Sequence, residues 1–187
     1  MKQGFTFTEL MVIISIIGIF TIISFPYYQD IRKTLTLDRA VVKLAQDVRK
    51  AQEMSMSAFQ FNGSVPPGGY GIYFDINEPD HYILFADMDE DNLYDTSVPC
   101  GAAGSECVED IYLEKGVELE ECGPTAGICS HLSFCYKAPD PCLHHLEKIS
   151  GGGWGSFGDG TFAYIKLLIS GKEKTVNLNR SGLVDID

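Results

Sequence analysis

Hydrophobic residues change their spacing along the chain, and each spacing predicts a different element. From Phe5 to Phe25 the run is almost entirely apolar, and Glu9 is its one charged residue. A helix of this length measures roughly 30 Å, which is about the thickness of the hydrocarbon core of a bilayer. The run therefore predicts a membrane-spanning helix. Lys2 precedes it, so the N-terminus is expected to face the cytoplasm.

Between residues 30 and 59 the apolar residues recur at helical intervals, while Lys and Arg occupy the other faces. The apolar stripe consists of Leu37, Val41, Leu44 and Val48. Pro26 is the one proline between residues 19 and 62, a stretch that has no glycine. Because proline removes a helical hydrogen bond, we expect a kink there. The two patterns together predict one helix from about residue 5 to 59, with its first half in lipid and its second half against a domain.

Beyond residue 60 short apolar runs alternate with turn residues, which is typical of antiparallel strands. "GYGIYFD" and "HYILFAD" predict two strands joined by a hairpin loop, "INEPD". "EDIYLEKGVELE" predicts another pair of short strands with Lys115-Gly116 at the turn, and three closing strands are predicted in "GTFAYIKLLIS", "KTVNLN" and "GLVDID". The predicted class is therefore α+β, with a long N-terminal helix packed on an antiparallel sheet. Residues 96–160 are predicted to form a long, cysteine-rich insert.

Charge is distributed unevenly along the chain. The net charge is -12, with about +2 in residues 1–53 and about -14 in residues 54–187. Proteins that bind nucleic-acid phosphates need Lys and Arg on the binding surface, so no nucleic-acid partner is expected. Neither G-x-S-x-G nor H-E-x-x-H occurs in the sequence, and no other assembled catalytic motif is present. The chain is therefore predicted not to be an enzyme.

The cysteines form one even-numbered cluster, which consists of Cys100, Cys107, Cys122, Cys129, Cys135 and Cys142. In an exported domain this arrangement favours three disulfides, with the pairing left open. Zinc is the rival interpretation, because histidines lie in or beside the cluster. No C-x2-C pair occurs, however, and the usual spacing of a structural zinc site is absent.

The stretch "DMDEDNLYD" is the strongest candidate for a metal site. Four carboxylates fall at positions 1, 3, 5 and 9 of a calcium-type loop, namely Asp87, Asp89, Asp91 and Asp95. An EF-hand is excluded, because Asn92 replaces its glycine and Val98 replaces its last glutamate. Two interpretations stay open: a looser calcium loop and a solvated acidic turn. Apart from calcium, no cofactor is predicted.

The first 28 residues resemble the type IV pilins and the type II secretion pseudopilins. The resemblance lies in "GFTFTEL", with Gly4 before a cleavage point, Phe5 after it and Glu9 five residues into the mature chain. Gly18, Pro26 and the pair Tyr27-Tyr28 also match positions of that family. The closing strands, with "VNLNRSG", resemble the minor subunits of the H-type or fimbrial T-like group.

The resemblance implies a pilin fold with four parts: a leader at 1–4, a transmembrane and fibre-core helix at 5–28, an amphipathic helix at 29–59 and a β-rich domain at 60–187. It implies that a prepilin peptidase cuts between Gly4 and Phe5 and methylates the new amine. Glu9 would then pair with the terminal amine of a neighbouring subunit, which neutralises two charges that are unfavourable in lipid. Gly18 to Pro26 would be the part of the helix that loosens in the fibre.

The implied function is that of a structural subunit in a pilus-like or secretion-like filament. The implied partners are other pilin or pseudopilin subunits, the prepilin peptidase and an inner-membrane assembly platform. Before assembly the chain would be a single-pass membrane protein with a cytoplasmic N-terminus, and afterwards part of an extracytoplasmic or extracellular filament. One alternative is a minor tip pilin that acts as an adhesin or binding module. A DNA-uptake pilin is disfavoured by the acidic domain.

Overall fold

A computed structural model describes residues 6–123, 129–149, 154–156, 163–179 and 184–187, with the backbone alone for residue 26 and residues 140–149 and 154–156. Helix α1 covers Phe7–Met56. The prediction of a single helix through both halves of the N-terminal region is therefore confirmed. The helix continues through Pro26, and the predicted kink stays a prediction.

The chain divides into two compact units, Met1–Leu35 and Thr36–Asp187. The boundary between the two units lies within α1, and the domain bounds expected from the sequence stay predictions. Its position follows from burial, because Leu37 is the first helical residue in the core of the second unit and is 2% exposed. The large apolar side chains described between Phe7 and Ile31 are exposed.

In the described part of the chain, ten strands follow α1: β1 Gly69–Asp75, β2 His81–Asp87, β3 Cys107–Tyr112, β4 Glu118–Gly123, β5 Cys129–Lys137, β6 Asp140–Ile149, β7 Trp154–Ser156, β8 Ala163–Ile169, β9 Lys172–Leu178 and β10 Val184–Ile186. They form a six-stranded sheet in the order β3-β2-β1-β5-β6-β7 and a four-stranded sheet in the order β10-β9-β8-β4. Every described pairing is antiparallel. The α+β class, with a long helix packed on antiparallel sheets, is confirmed.

The second half of α1 packs into the core that both sheets line. Its buried residues include all four of the predicted stripe, Leu37, Val41, Leu44 and Val48. Polar contacts fix the same face: Ser55 Oγ accepts a 2.8 Å hydrogen bond from the Tyr70 N–H of β1, and Asp38 forms a 2.9 Å ion pair with Lys174 of β9. The helix is thus held by strands of both sheets.

The strands predicted at β1 and β2 are confirmed residue for residue, and β8, β9 and β10 overlap their predicted segments. The pair predicted in "EDIYLEKGVELE" is correct for the strands and wrong for their pairing. β3 pairs with β2, whereas β4 pairs with β8 in the other sheet. At the turn between them Gly116 has φ +86°, a conformation that favours glycine, and the chain passes there from one sheet to the other.

Most of the described residues of the predicted cysteine-rich insert at 96–160 lie in strands β3 to β7. β5 lies in the middle of the six-stranded sheet, between β1 and β6. Both faces of β5 are covered: Leu132 and Phe134 point into the core beside α1, and Cys135 packs in a second apolar cluster on the opposite face. Leu132, Phe134 and Tyr136 alternate with polar or small residues, so the sequence carries a strand pattern here that the prediction of an insert overlooked.

Two disulfides join cysteines that are seven residues apart, Cys100–Cys107 and Cys122–Cys129. The second one connects β4 to β5 and therefore connects the two sheets. The prediction that Cys135 forms a disulfide is wrong, because Cys135 is a buried free thiol. It faces Phe85 and Tyr94 across the second apolar cluster. The side chain of Cys142 lies outside the described residues.

Candidate functional site

The first candidate site is the apolar half of α1. Its large side chains are exposed along the whole length, and those that are more than half exposed include Phe7, Met11, Ile14, Ile17, Phe20 and Ile22. By length and composition, α1 is the one helix in the described part of the chain that could cross a membrane. An apolar surface of this size is unfavourable in water and suits lipid or other apolar helices.

The start of α1 is closed by a reciprocal cap between Thr6 and Glu9. The Thr6 carbonyl accepts the first helical hydrogen bond, from the Leu10 N–H at 3.2 Å. The Thr6 hydroxyl accepts from the Glu9 N–H at 3.4 Å, and Glu9 Oε2 accepts from the Thr6 N–H at 3.5 Å and from the Thr6 hydroxyl at 3.3 Å. This is a capping box, the T-x-x-E pattern at a helix start. Sequence reasoning missed it, although "TFTE" carries the signal.

Polar groups farther along this half of α1 are satisfied within the helix. The Ser15 hydroxyl donates to the Met11 carbonyl and the Thr21 hydroxyl donates to the Ile17 carbonyl, both at 2.8 Å. Back-bonding of this kind satisfies the hydroxyls without any partner from water. A side chain at Gly18 would meet no atom within 4 Å. The predicted processing residues Gly4 and Phe5 and the side chain of Pro26 lie outside the described residues.

The second candidate site is the acidic loop, which we define as residues 87–95 together with Glu106. Asp87 is fully buried at the end of β2, and its carboxylate accepts hydrogen bonds from the N–H groups of Glu90 at 2.7 Å and Asn92 at 2.9 Å. Glycine is required at residue 68, because a Cβ there would overlap the Asp87 carboxylate. The backbone at Gly68, just before β1, therefore lies against the Asp87 side chain and holds it in place.

Glu106 completes the loop from the start of β3. It is 6% exposed and accepts from the Met88 N–H at 2.9 Å and the Asp95 N–H at 3.1 Å. Ligand-capable oxygens of Asp87, Asp89 and Glu106 all lie within 4.8 Å of one another. Carboxylate oxygens at this spacing are the ligands that a hard cation such as Ca²⁺ prefers, and water or backbone oxygens would complete its six to eight ligands.

The structure brings only part of the predicted ligand set together. Asp87 and Asp89 belong to the group of three, whereas Asp91 and Asp95 close their own turns. Asp91 accepts from the Leu93 N–H at 2.7 Å, and Asp95 accepts from the Ser97 N–H at 2.8 Å. Glu106 was missed because it reaches the loop only through the pairing of β3 with β2, which no local spacing reveals.

Burial makes negative charge unfavourable in much of the acidic loop. It raises the pKa of the carboxyl groups of Asp87, Glu106 and Asp91, with the neighbouring carboxylates adding to the effect and backbone hydrogen bonds opposing it. Asp95 behaves differently, because its hydrogen bonds from Ser97 lower its pKa. Burial of Asp87 and Glu106 therefore favours either protons on these two carboxyl groups or a bound cation beside them.

Comparisons of the chain with protein-family models, with curated proteins and with solved structures find no match. The resemblance to the type IV pilins therefore rests on the matching residues between Gly4 and Tyr28 and on the closing segment "VNLNRSG".

Proposed function

We propose that the chain is a structural subunit of a type IV pilus-like or type II secretion-like filament. In this proposal it is made as a membrane prepilin and is cleaved between Gly4 and Phe5 by a prepilin peptidase, which methylates the new amine. The observation that supports it best is the isolation of Glu9. It is the only charged residue between Lys2 and Asp30, in the half of α1 whose large apolar side chains are exposed.

A lone carboxylate in an apolar surface is expensive unless a partner neutralises it. Its capping contacts with Thr6 satisfy hydrogen bonds but supply no positive charge. The terminal amine that cleavage creates at Phe5 would supply that charge from a neighbouring subunit. An incorrect axial position would leave both charges without a partner, so the pair would specify the position of one subunit against the next.

The division of α1 into an exposed apolar half and a half buried among strands also supports the proposal. The first half would form the fibre core by packing against the same half of other subunits, and the second half holds the β-rich domain. The proposed partners are other pilin or pseudopilin subunits, the prepilin peptidase and an inner-membrane assembly platform. The proposed location is the inner membrane before assembly and an extracytoplasmic filament afterwards.

The capping box makes the test of this proposal sharper, because it offers a second role for Glu9. Glutamine also forms a capping box, so Glu9→Gln removes the charge and keeps the cap. Thr6→Ala removes the cap and keeps the charge. We expect Glu9→Gln and Glu9→Ala to abolish filaments in cells that contain the assembly apparatus, while Thr6→Ala still assembles. All three variants should fractionate with the membrane before assembly.

The opposite pattern would contradict the ion-pair mechanism: filaments from Glu9→Gln and none from Thr6→Ala would assign Glu9 to capping. Processing is tested separately by mass spectrometry of the mature N-terminus. A wild-type chain that begins at Phe5 with a methylated amine supports the proposal, and a Gly4→Leu variant should keep its leader. A chain that begins at any other residue would contradict the assignment of the cleavage site.

A minor tip subunit that acts as a binding module is the second candidate. The observation that favours it is the segment between β2 and β3, which the Cys100–Cys107 disulfide and a 2.8 Å hydrogen bond from the Ser133 hydroxyl to the Asn92 carbonyl hold against the sheet. Copy number in purified filaments distinguishes the two candidates. A ratio near one per filament would identify a tip subunit, and a repeat along the fibre would identify a bulk subunit.

A further inference from the structure

The six-stranded sheet carries a cavity of about 340 Å³ on the face opposite α1. Strand alternation explains its position: Phe74 and Leu84 point toward the helix, and their neighbours Tyr73 and Ile83 point the other way. The cavity lies within the size range of small-ligand sites. It is distinct from the group formed by Asp87, Asp89 and Glu106, none of which lines it.

Aromatic rings form one wall of this cavity. The rings of Tyr73 and Tyr94 are 5.3 Å apart, and the imidazole of His131 is 6.1 Å from the Tyr73 ring. Tyr94 belongs to the segment that the Cys100–Cys107 disulfide holds, and Cys100 itself lines the cavity. Packing of both tyrosine rings in the second apolar cluster fixes this wall, and the disulfide fixes Cys100 beside it, which favours a preformed site over one that must be ordered on binding.

Carboxylates and imidazoles form the remaining wall. His131 Nε2 lies 3.2 Å from Asp75 Oδ2. His81 Nε2 lies 3.6 Å from Glu78 and 3.9 Å from Asp110. Among the described residues that line the cavity there is no Lys or Arg. Three carboxylates thus surround a space that contains no permanent positive charge.

A metal ion does not fit this arrangement. Among the described residues, the donor atoms close enough to share one ion are those of Asp87, Asp89 and Glu106, and the cavity contributes no such group. The volume is also far larger than a single ion needs. A larger organic cation would instead reach several separated carboxylates and contact the rings at the same time.

We infer that this cavity binds the guanidinium group of an arginine side chain supplied by a protein partner. A guanidinium is planar, stacks on tyrosine rings and donates five hydrogen bonds in a fixed fork, which suits carboxylates distributed around an aromatic wall. An ammonium group is more compact and more strongly hydrated, so it would use fewer of these contacts. The inference is independent of the filament proposal and of calcium binding.

The test uses the full chain in an uncharged maltoside detergent. N-acetyl-arginine amide is the probe, and N-acetyl-citrulline amide is its uncharged counterpart of the same shape. We expect the arginine probe to shift the imidazole NMR signals of His81 and His131 in a saturable manner, and the citrulline probe to bind at least tenfold more weakly. Equal binding of the two probes, or no saturable shift with the arginine probe, would overturn the inference.

Variants locate the binding in the cavity. Asp110→Asn and Glu78→Gln each remove one charge from a side chain that is partly or largely exposed, so both should fold. Each is expected to weaken binding of the arginine probe about tenfold, the loss typical of one charge-assisted hydrogen bond. Glu118→Gln removes an exposed charge from β4, outside the cavity, and should leave binding unchanged. Unchanged affinity in both cavity variants would overturn the inference.

Two further arms identify the source of the arginine. One adds an excess of the unlabelled wild-type chain to the labelled protein, and the other adds the Arg39→Gln, Arg49→Gln variant, which lacks two exposed arginines of α1. Shifts of the His81 and His131 signals by the wild-type chain alone support the cavity and assign its ligand to a second copy. If neither chain shifts the signals but the arginine probe binds, the inference is supported and the ligand is assigned to a different polypeptide.

Discussion

The Tyr82 hydroxyl of β2 donates a 2.6 Å hydrogen bond to Asp47 Oδ2 of α1. Tyr82 is 2% exposed, and its pKa is raised by burial and by the neighbouring Asp47 carboxylate. The bond joins the amphipathic half of the helix to the central part of the six-stranded sheet. It also gives the Asp47 carboxylate an aromatic hydroxyl of the sheet as its hydrogen-bond partner.

Tyr82→Phe removes this hydroxyl and keeps the ring. Because the bond involves a charged acceptor, we expect the variant to lower the free energy of unfolding by about 1.5–3 kcal/mol. Urea unfolding followed by circular dichroism measures the change. Tyr112→Phe is the matched control, since Tyr112 is 61% exposed, and it should change the free energy by about 0.5 kcal/mol or less. Equal effects of the two variants would contradict the assigned role of the Tyr82–Asp47 bond.

The two disulfides allow a comparison at constant loop length. Both join residues seven apart, so chain entropy predicts about the same stabilisation from each, roughly 2–3 kcal/mol. Cys122 and Cys129 are also buried and connect the two sheets, whereas Cys100 is exposed. Replacing Cys122 and Cys129 by alanine should therefore cost more stability than replacing Cys100 and Cys107. The same urea experiment tests this, and a larger loss from the Cys100, Cys107 variant would contradict it.

Thiol chemistry checks the pairing independently. Non-reducing mass spectrometry of peptides should find Cys100 joined to Cys107 and Cys122 joined to Cys129. Burial raises the pKa of the Cys135 thiol well above its ordinary value, so Cys135 should react with iodoacetamide only after unfolding. A native chain in which Cys135 is already in a disulfide would contradict the structure and restore the prediction made from the sequence.

The elements predictable from the sequence are those with a strong local pattern. α1 follows from an uninterrupted apolar run and then a helical stripe, and β1 and β2 follow from two apolar runs around "INEPD". The place of β5 could not be predicted in this way, because it depends on pairing with β1, which is distant in sequence, as well as with β6, which follows it directly. The pairing of β3 with β2 rather than with β4 likewise depends on tertiary structure and not on a local pattern.

In the acidic loop, too, local spacing identified some residues, while strand pairing alone brings in another. Asp87 and Asp89 are neighbours in sequence, and the alternating spacing identified both. Glu106 joins them only because β3 pairs with β2. Asp91 and Asp95 have the spacing of ligands, and each, like Asp89, accepts a hydrogen bond from an N–H two residues later. Local turn formation therefore competes with ligand geometry, and spacing alone does not indicate which of the two prevails.

Calcium binding by variants tests which carboxylates act as ligands. The candidates are the set predicted from the sequence and the group found in the structure. If calcium occupies the acidic loop, it should raise the melting temperature, with a stabilisation of about 2.7 kcal/mol at one hundred times the dissociation constant. Asp89→Asn should greatly reduce the increase, and Asp95→Asn should leave it unchanged. Differential scanning fluorimetry with calcium and with EDTA measures both. No increase at 5 mM calcium in the wild-type chain would favour the solvated acidic turn.

The pH dependence of stability should change in opposite directions when Asp91 and Asp95 are neutralised. The pKa of Asp91 is raised in the folded state, so the folded chain holds this proton more tightly than the unfolded chain does. Asp91 therefore contributes more stability as the pH falls through the folded pKa toward about 3.9, the ordinary pKa of an aspartate. A lowered pKa, as at Asp95, gives stability that is present above the ordinary value and is lost as the pH falls through the folded pKa.

At pH 7 without calcium, Asp91→Asn should therefore stabilise the chain slightly, by about a few tenths of a kcal/mol because the group is largely exposed. Asparagine can still accept from the Leu93 N–H, so the turn is kept. Asp95→Asn should instead lower stability at pH 7 and have less effect at pH 3. Urea unfolding of both variants from pH 3 to 7 provides the test. Changes of the same sign at pH 7 would contradict the opposite environments that the structure assigns to these two carboxylates.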